Sequence, residues 1–265
     1  HEQYVYFLGN AAQGDLGKSF IFGEPALKLI VQRMPATLEL AVAALLLATF
    51  FGIPLGVFAG LKPDSKISKT IMAGSILGFS LPTFWVGLMM IMLFAVMLGW
   101  LPSTGRGETA SLLGIQVSFL TWDGLTHLFM PALNLALFKL SLVIRLSRAG
   151  AREAALQDYI KFARAKGLSE ARIILIHLMK NILIPVVTVL GLEFGGLIAF
   201  SVVTETVFAW PGMGKLIIDS IHNLDRPVVV AYLMITVLMF VVINLVVDVL
   251  YSFLDPRVRL QDMKK

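Results

Sequence analysis

The side chains best suited to acid–base or metal chemistry are scattered: His1, His127, His177 and His222 share no local pattern. No His-Glu-x-x-His occurs, and no glycine-flanked serine stands beside a histidine-bearing span, which argues against zinc-protease and intramembrane-hydrolase chemistry. Cysteine is absent, so disulfides, thiolate nucleophiles and cysteine metal sites are excluded. Gly14-Asp15-Leu16-Gly17-Lys18-Ser19 invites a phosphate-loop reading, because Gly-Lys-Ser closes that motif. The position of its first glycine is Ala12, however, and no apolar strand leads in, so the segment reads as a turn. The remaining chemistry is electrostatic. Lys139 and Glu193 lie deep in apolar runs, where such residues pair with each other or line a solvent-filled cavity. Gly191, Gly195 and Gly196 surround Glu193 and would admit another helix or a solute. Asn244 and Asp248, at i and i+4, fit a polar cluster at a helix end better than a proton relay. Neither a metal site nor a cofactor motif is expected in this chain.

The elements that position these groups are membrane helices. The 265 residues are 57% hydrophobic and 15% charged, with a mean hydropathy of +0.83. A soluble domain is nearer half apolar and a quarter charged, so the fold class is an all-α polytopic membrane protein. The net charge of +5 could suggest nucleic acid, but the basic residues flank apolar spans and are explained by topology, so no nucleic-acid partner is expected.

Residues 1–35 mix charge, glycine and short apolar runs and form a segment too polar to span. The transmembrane domain covers 36–255, with spans at about 38–61, 71–98, 128–146, 182–204 and 227–250, each near the ~20 residues a helical crossing needs. Inside the second span Ser80-Leu81-Pro82-Thr83-Phe84-Trp85 interrupts the helix, since Pro82 removes a hydrogen bond and clashes with the preceding turn. A kink flanked by Phe84 and Trp85 either lines a pathway or is accommodated by packing. Trp100 falls at an interface, where indoles collect. Between the fourth and fifth spans, Glu205 opens a turn-rich hydrophobic knot with Phe208, Pro211, Gly212 and Gly214. A short amphipathic helix near Lys215 to Ile221 follows it.

The most charge-dense stretch between spans is the loop 147–181. Asp158 can cap a helix over Tyr159 to Lys166, with Arg164 and Lys166 at the negative end of its dipole. Gly167 supplies a left-handed stop, and after Leu168, Ser169 can cap the next helix. A helix of eight residues is marginal alone and needs a partner to rest against. Ala163, Ala165 and Gly167 would let another protein's backbone approach. Composition alone leaves a second reading, a solvated basic loop held by lipid headgroups. Residues 61–69 carry three lysines and one aspartate, and 145–181 carry eight basic residues against three acids. The loops 103–127 and 205–226 hold one and two basic residues. The positive-inside rule then places 61–69, the 147–181 loop and the tail 256–265 in the cytoplasm, and 1–35 outside.

DYIKFARAKGLSEARIILIHLMKNILIP, from Asp158 to Pro185, resembles the cytoplasmic coupling loop of permease subunits in binding-protein-dependent ABC importers of the dipeptide, oligopeptide and nickel group. Ala163 and Gly167 match that superfamily's EAA-x3-Gly pattern; Lys161 replaces its glutamate, and Pro185 falls five residues late, as in the peptide and nickel group. The literal Glu153-Ala154-Ala155 has Tyr159 where its glycine should be. GDLGKS, PATLEL, SLPTFW, LGWLP, ETVFAWPGMG and NLVVDVLYSFLDPR extend the resemblance over nearly the whole chain. It implies a type I importer transmembrane domain with six spans, the first ahead of His1. It also implies a bacterial or archaeal cytoplasmic membrane, a second homologous permease subunit, two cytoplasmic ATPases carrying ATP and Mg, and an extracytoplasmic solute-binding protein. This chain would then perform no covalent chemistry, and Asp158 to Ser169 would receive an ATPase. An ion-coupled secondary transporter using Lys139, Glu193 or Asp248 is the alternative from another class.

Overall fold

The structure, a computed structural model, describes Tyr6 and residues 9–254, with side chains described as far as residue 249. Asp255, Arg257 and the tail 256–265 lie outside the described residues. Four helices are long and apolar enough to cross a membrane: α1 (Ala26–Leu61), α4 (Trp122–Ala155), α6 (Glu170–Val207) and α8 (Arg226–Leu254). A fifth candidate crossing is broken into α2 (Lys66–Ser80) and α3 (Thr83–Met90), the latter continuing as a π-helical stretch over Ile91–Met97. Shorter helices include α5 (Asp158–Ala165) and α7 (Met213–His222), with a hairpin of β1 (Ala110–Leu112) and β2 (Ile115–Val117).

Several helices outrun their apolar cores. α1 begins at Ala26, ten residues before the expected transmembrane domain. α4 continues to Ala155, into the stretch expected to be loop, and the helical segment of α6 starts at Glu170. The apolar run marks where a helix can meet hydrocarbon, whereas hydrogen bonding along the axis continues into polar surroundings. The Pro82 region departs further from a kinked helix. Leu81 and Pro82 are both extended, with ψ of 138° and 129°, so the helix stops and restarts.

The chain folds into two compact units. One comprises residues 44–81, 136–194 and those from 243 onward. Here Gly52, Gly56 and Gly60 form a small-residue stripe on α1 against α4. A Cβ on Gly56 would lie 2.5 Å from the Ile144 carbonyl oxygen and 2.6 Å from Ser147 Cβ. On Gly60 it would lie 2.6 Å from the Arg148 carbonyl oxygen. Ser141 Oγ donates to the Ser75 carbonyl at 2.5 Å, joining α4 to α2. The glycines near Glu193 likewise admit a helix: a Cβ on Gly191 would meet Val247 of α8 at 2.7 Å.

The other unit comprises residues up to 43, 82–135 and 195–242. Its core gathers Leu16, Ile30, Met213, Leu216, Ile217, Val228 and Tyr232. The Gly-Lys-Ser serine serves this core: buried Ser19 hydrogen-bonds the Asp225 carboxylate, and Phe20 N donates to the same group at 3.2 Å. Glu39, which sequence reasoning passed over, is buried and fully engaged. It accepts from Arg106 Nε at 3.1 Å, Ser118 N at 2.7 Å, Ser118 Oγ at 2.8 Å and Phe119 N at 2.9 Å. That carboxylate ties the hairpin region to α1.

The glycine stripe makes a contrast available. Gly56→Ala places a methyl group against backbone that cannot rotate away, and overpacking of this kind costs about 1–3 kcal/mol. Gly74→Ala in α2 meets nothing within 4 Å and should gain slightly in helix propensity. Thermal unfolding of the detergent-solubilised protein should show a lowered midpoint for the first and an unchanged or raised one for the second. Equal midpoints would refute the close approach of α1 to α4.

Candidate functional site

The basic loop folds into α5 and a tight turn. The helix starts one residue earlier than expected: Gln157 is the N-cap, and Asp158 opens the first turn, where its charge favours the dipole. Lys161 Nζ donates to Asp158 at 2.8 Å and holds its carboxyl below the usual carboxylate range. At the other end Lys166 is the C-cap and Gly167 has φ of +74°. Gly167 N donates to the Arg164 carbonyl at 2.9 Å and Leu168 N to the Ala163 carbonyl at 3.2 Å, the two bonds of a Schellman stop. Ser169 occupies the next N-cap with extended backbone, but its hydroxyl makes no cap bond.

Ile160 and Ala163 face inward and are buried, so Ala163 supports the loop instead of presenting itself to a partner. The outward face holds Lys161, Phe162, Arg164, Ala165, Lys166 and Gly167, with the Phe162 ring 68% exposed. Two ties fix α5 to the start of α6. Arg164 Nε and a terminal nitrogen donate to Glu170 at 2.7 and 3.2 Å, which pushes the guanidinium pKa further up, and Asn181 Nδ2 donates to Tyr159 Oη at 2.5 Å. The helix is therefore held by Arg164 and Tyr159, with the Phe162 ring, Lys161 and Lys166 exposed.

In α4 and α6, Lys139 Nζ donates to the Glu193 carboxylate. The lysine side chain is 4% exposed and the glutamate 41%, so only one partner is sequestered. Phe138 lies 5.3 Å from the same ammonium. Pro82 is the N-cap of α3, and Phe84 and Trp85 are about half exposed.

The knot after α6 is a structural joint. Glu205 is completely buried and accepts from Thr37 Oγ1 at 2.8 Å, Ser201 Oγ at 3.0 Å and Lys215 N at 3.0 Å, so its carboxylate caps α7. A Cβ on Gly212 would fall 2.3 Å from that carboxylate, and one on Gly214 would fall 3.0 Å away. Phe208 and Trp210 are buried, Pro211 half-buried, and Trp210 Nε1 donates to the Ala36 carbonyl at 2.9 Å.

Residues 52–260 match the family described as binding-protein-dependent transport system inner membrane component. The chain belongs to that family. Among curated relatives, it is 42% identical over 275 residues to the di/tripeptide transport system permease protein DppB of Pseudomonas aeruginosa, covering 98% of this chain and 81% of the relative. It is 41% identical over 257 residues to the oligopeptide transport system permease protein AppB of Bacillus subtilis, covering 97% and 79%. The fold is similar to a solved inward-facing MetNI methionine ABC transporter chain, with a TM-score of 0.68 at 18% identity over 86% of this chain and 97% of that one. An amino acid ABC transporter chain gives 0.57 at 16%, over 85% and 94%. The chain is thus a permease component with the transmembrane fold of type I ABC importers.

Among the permease's polar groups, Glu39 and the glycine stripe were missed by sequence reasoning. The stripe could have been read from its four-residue spacing; the bonds of Glu39 to residues 67 and 79 positions away could not. The ion pair is testable by a double-mutant cycle. Glu193→Gln strands a sequestered lysine, at about 2.5–3.5 kcal/mol on insertion scales. Lys139→Met leaves an accessible carboxylate and should cost less, and the double variant should recover part of the larger loss. Unfolding of the four proteins in one detergent measures this; strictly additive losses would mean that the two charges act separately.

Proposed function

We propose that this permease forms half of the translocation pathway of an ATP-driven importer for peptides or related small solutes, with α5 receiving a cytoplasmic ATPase. The observation that carries the reading is the outward face of α5, with Phe162, Arg164 and Lys166 displayed on a helix anchored from behind and stopped at Gly167. An exposed aromatic ring on a helix held in place gives a protein partner a fixed apolar anchor to bury. The names of the relatives, which transport dipeptides, tripeptides and oligopeptides, support the solute class. The complete machine would comprise a second homologous permease, two ATPases carrying ATP and Mg, and an extracytoplasmic solute-binding protein. The family's description as a binding-protein-dependent system fits that composition.

In this reading ATP closes the ATPase pair, the docked helices move with it, and the pathway alternates its exposure. Pro82, Phe84 and Trp85, at the break between α2 and α3, and the pair Lys139–Glu193 are the proposed pathway elements, while the 205–214 knot holds the extracytoplasmic end. Ion-coupled transport is the weaker reading. Inactivating the ATPase partner with ion gradients intact should abolish uptake, and retained uptake would reverse the preference.

A cysteine at exposed Ser103 should react with an impermeant thiol reagent from outside, and one at exposed Lys69 only after the cytoplasmic face is opened. The reverse labelling would invert the orientation drawn from the basic loops. Docking is tested at Gly167, where a Cβ meets nothing within 4 Å but φ is +74°, so a substitution acts through the backbone. Gly167→Val costs about 1–2 kcal/mol locally, too little to remove the protein from the membrane. It should lower ATPase assembly or uncouple hydrolysis from uptake, whereas Gly167→Asn, which tolerates the left-handed region, should largely retain both. Normal assembly and uptake in the valine variant would count against docking at α5.

A further inference from the structure

A groove of about 610 Å³ lies between Met72 of α2 and the last three turns of α4. Arg145, Arg148 and Arg152 line it, spaced three and four residues apart so that they share one face of the helix. Among the described residues none of the three joins an ion pair, although Glu153 lines the same groove. Three guanidinium groups against one carboxylate leave an excess of positive charge. The row starts where the apolar stretch of α4 ends and rises roughly 10 Å along the axis, comparable to the depth of a headgroup layer.

An apolar wall continues from the row. The Arg145 guanidinium lies 5.1 Å from the Phe79 ring centroid, and Phe79 stacks on Phe138 at 4.7 Å. On α2, Met72, Ile76 and Phe79 repeat at i, i+4 and i+7, with Ile76 56% and Phe79 45% exposed. A cationic row leading into an apolar stripe is complementary to an amphiphile with an anionic head. Basic pockets at the membrane surface bind acidic headgroups in this way, and arginine forks fit phosphate oxygens in pairs. A free phosphate would leave the stripe unused, and a zwitterionic lipid would leave the charge unbalanced.

We propose that this groove is a binding site for an anionic phospholipid, with its phosphate held by Arg145, Arg148 and Arg152 and an acyl chain lying along Met72, Ile76 and Phe79. The site uses none of the residues on the outward face of α5.

The test uses the full chain in its assembled complex, purified in detergent with equal amounts of phosphatidylglycerol and phosphatidylcholine, and counts retained lipids by native mass spectrometry. Wild-type protein should retain phosphatidylglycerol selectively, and millimolar inorganic phosphate should not displace it. The combined Arg145→Gln, Arg148→Gln and Arg152→Gln variant should retain about a hundredfold less. The corresponding triple lysine variant should keep most of it. Equal retention in the glutamine variant, no preference for phosphatidylglycerol, or displacement by inorganic phosphate would each overturn the proposal. A photoreactive benzophenone side chain at exposed Ala149, in otherwise wild-type protein, gives an independent reading should the glutamine variant not fold. An adduct with phospholipid supports the site, and an adduct with another protein chain overturns it.

Discussion

A polar group shut away from water, in the bilayer core or inside the protein, must find its partner within protein. That constraint accounts for the polar architecture of this chain. Lys139 is sequestered and turns to Glu193; Glu205 disappears completely and takes hydroxyl and amide donors from three elements; Glu39 gathers Arg106 and three donors from the residues after the hairpin. In each case a carboxylate does more than neutralise a charge, because its several lone pairs let it join segments distant in sequence. The buried acids are fasteners, and their positions say which elements must stay together while a transporter moves.

The same solvent removes the ordinary reason for helices to associate, since lipid tails are as apolar as leucine. Close packing takes its place. Gly52, Gly56 and Gly60 bring α1 against the backbone of α4, and Gly191 and Gly195 admit Val247 and Phe240 of α8. Within the unit holding residues 44–81 and 136–194, this leaves α1 and α4 held by backbone-level contact, with α2 joined to α4 through Ser141 and the Phe79–Phe138 stack. Large side chains can shift rotamer to relieve a movement; two backbones in contact cannot. The glycine stripe therefore marks a rigid pair.

Local chemistry was legible in the sequence and remote chemistry was not. Gly167, directly after the basic turn that holds Arg164 and Lys166, announced the end of α5, and the amphipathic pattern after the Pro-Gly turn announced α7, because both depend on near neighbours along the chain. Helix ends were misjudged wherever hydrophobicity stood in for hydrogen bonding, at Ala26 and Ala155. The N-cap position expected of Asp158 is occupied by Gln157, whose side chain makes no cap bond, a one-residue shift of the kind that fraying termini invite. Ala163 looked like an open docking position because its smallness was visible while its direction was not; on an eight-residue helix it shares the buried face with Ile160. For Lys139 and Glu193 the reasoning could offer only pairing or a cavity, since 54 residues separate them and only the folded chain brings them together.

How α5 is tied down bears on how a push from outside could travel. Arg164 grips Glu170 through two nitrogens and Tyr159 meets Asn181, so α5 has two attachments on α6 some eleven residues apart, in addition to the buried Ile160 and Ala163. A body held at two separated points transmits rotation as well as translation. Between those points α6 is π-helical over Ile173–Leu178, a rare departure from the regular ladder, and Pro185 removes a bond beyond them. The irregular backbone of α6 thus lies next to the loop, while the ion pair of Glu193 with Lys139 joins the helix to α4 further along. Under the proposed docking at α5, that arrangement would let a movement of α5 bend α6 near its start instead of dragging the whole helix.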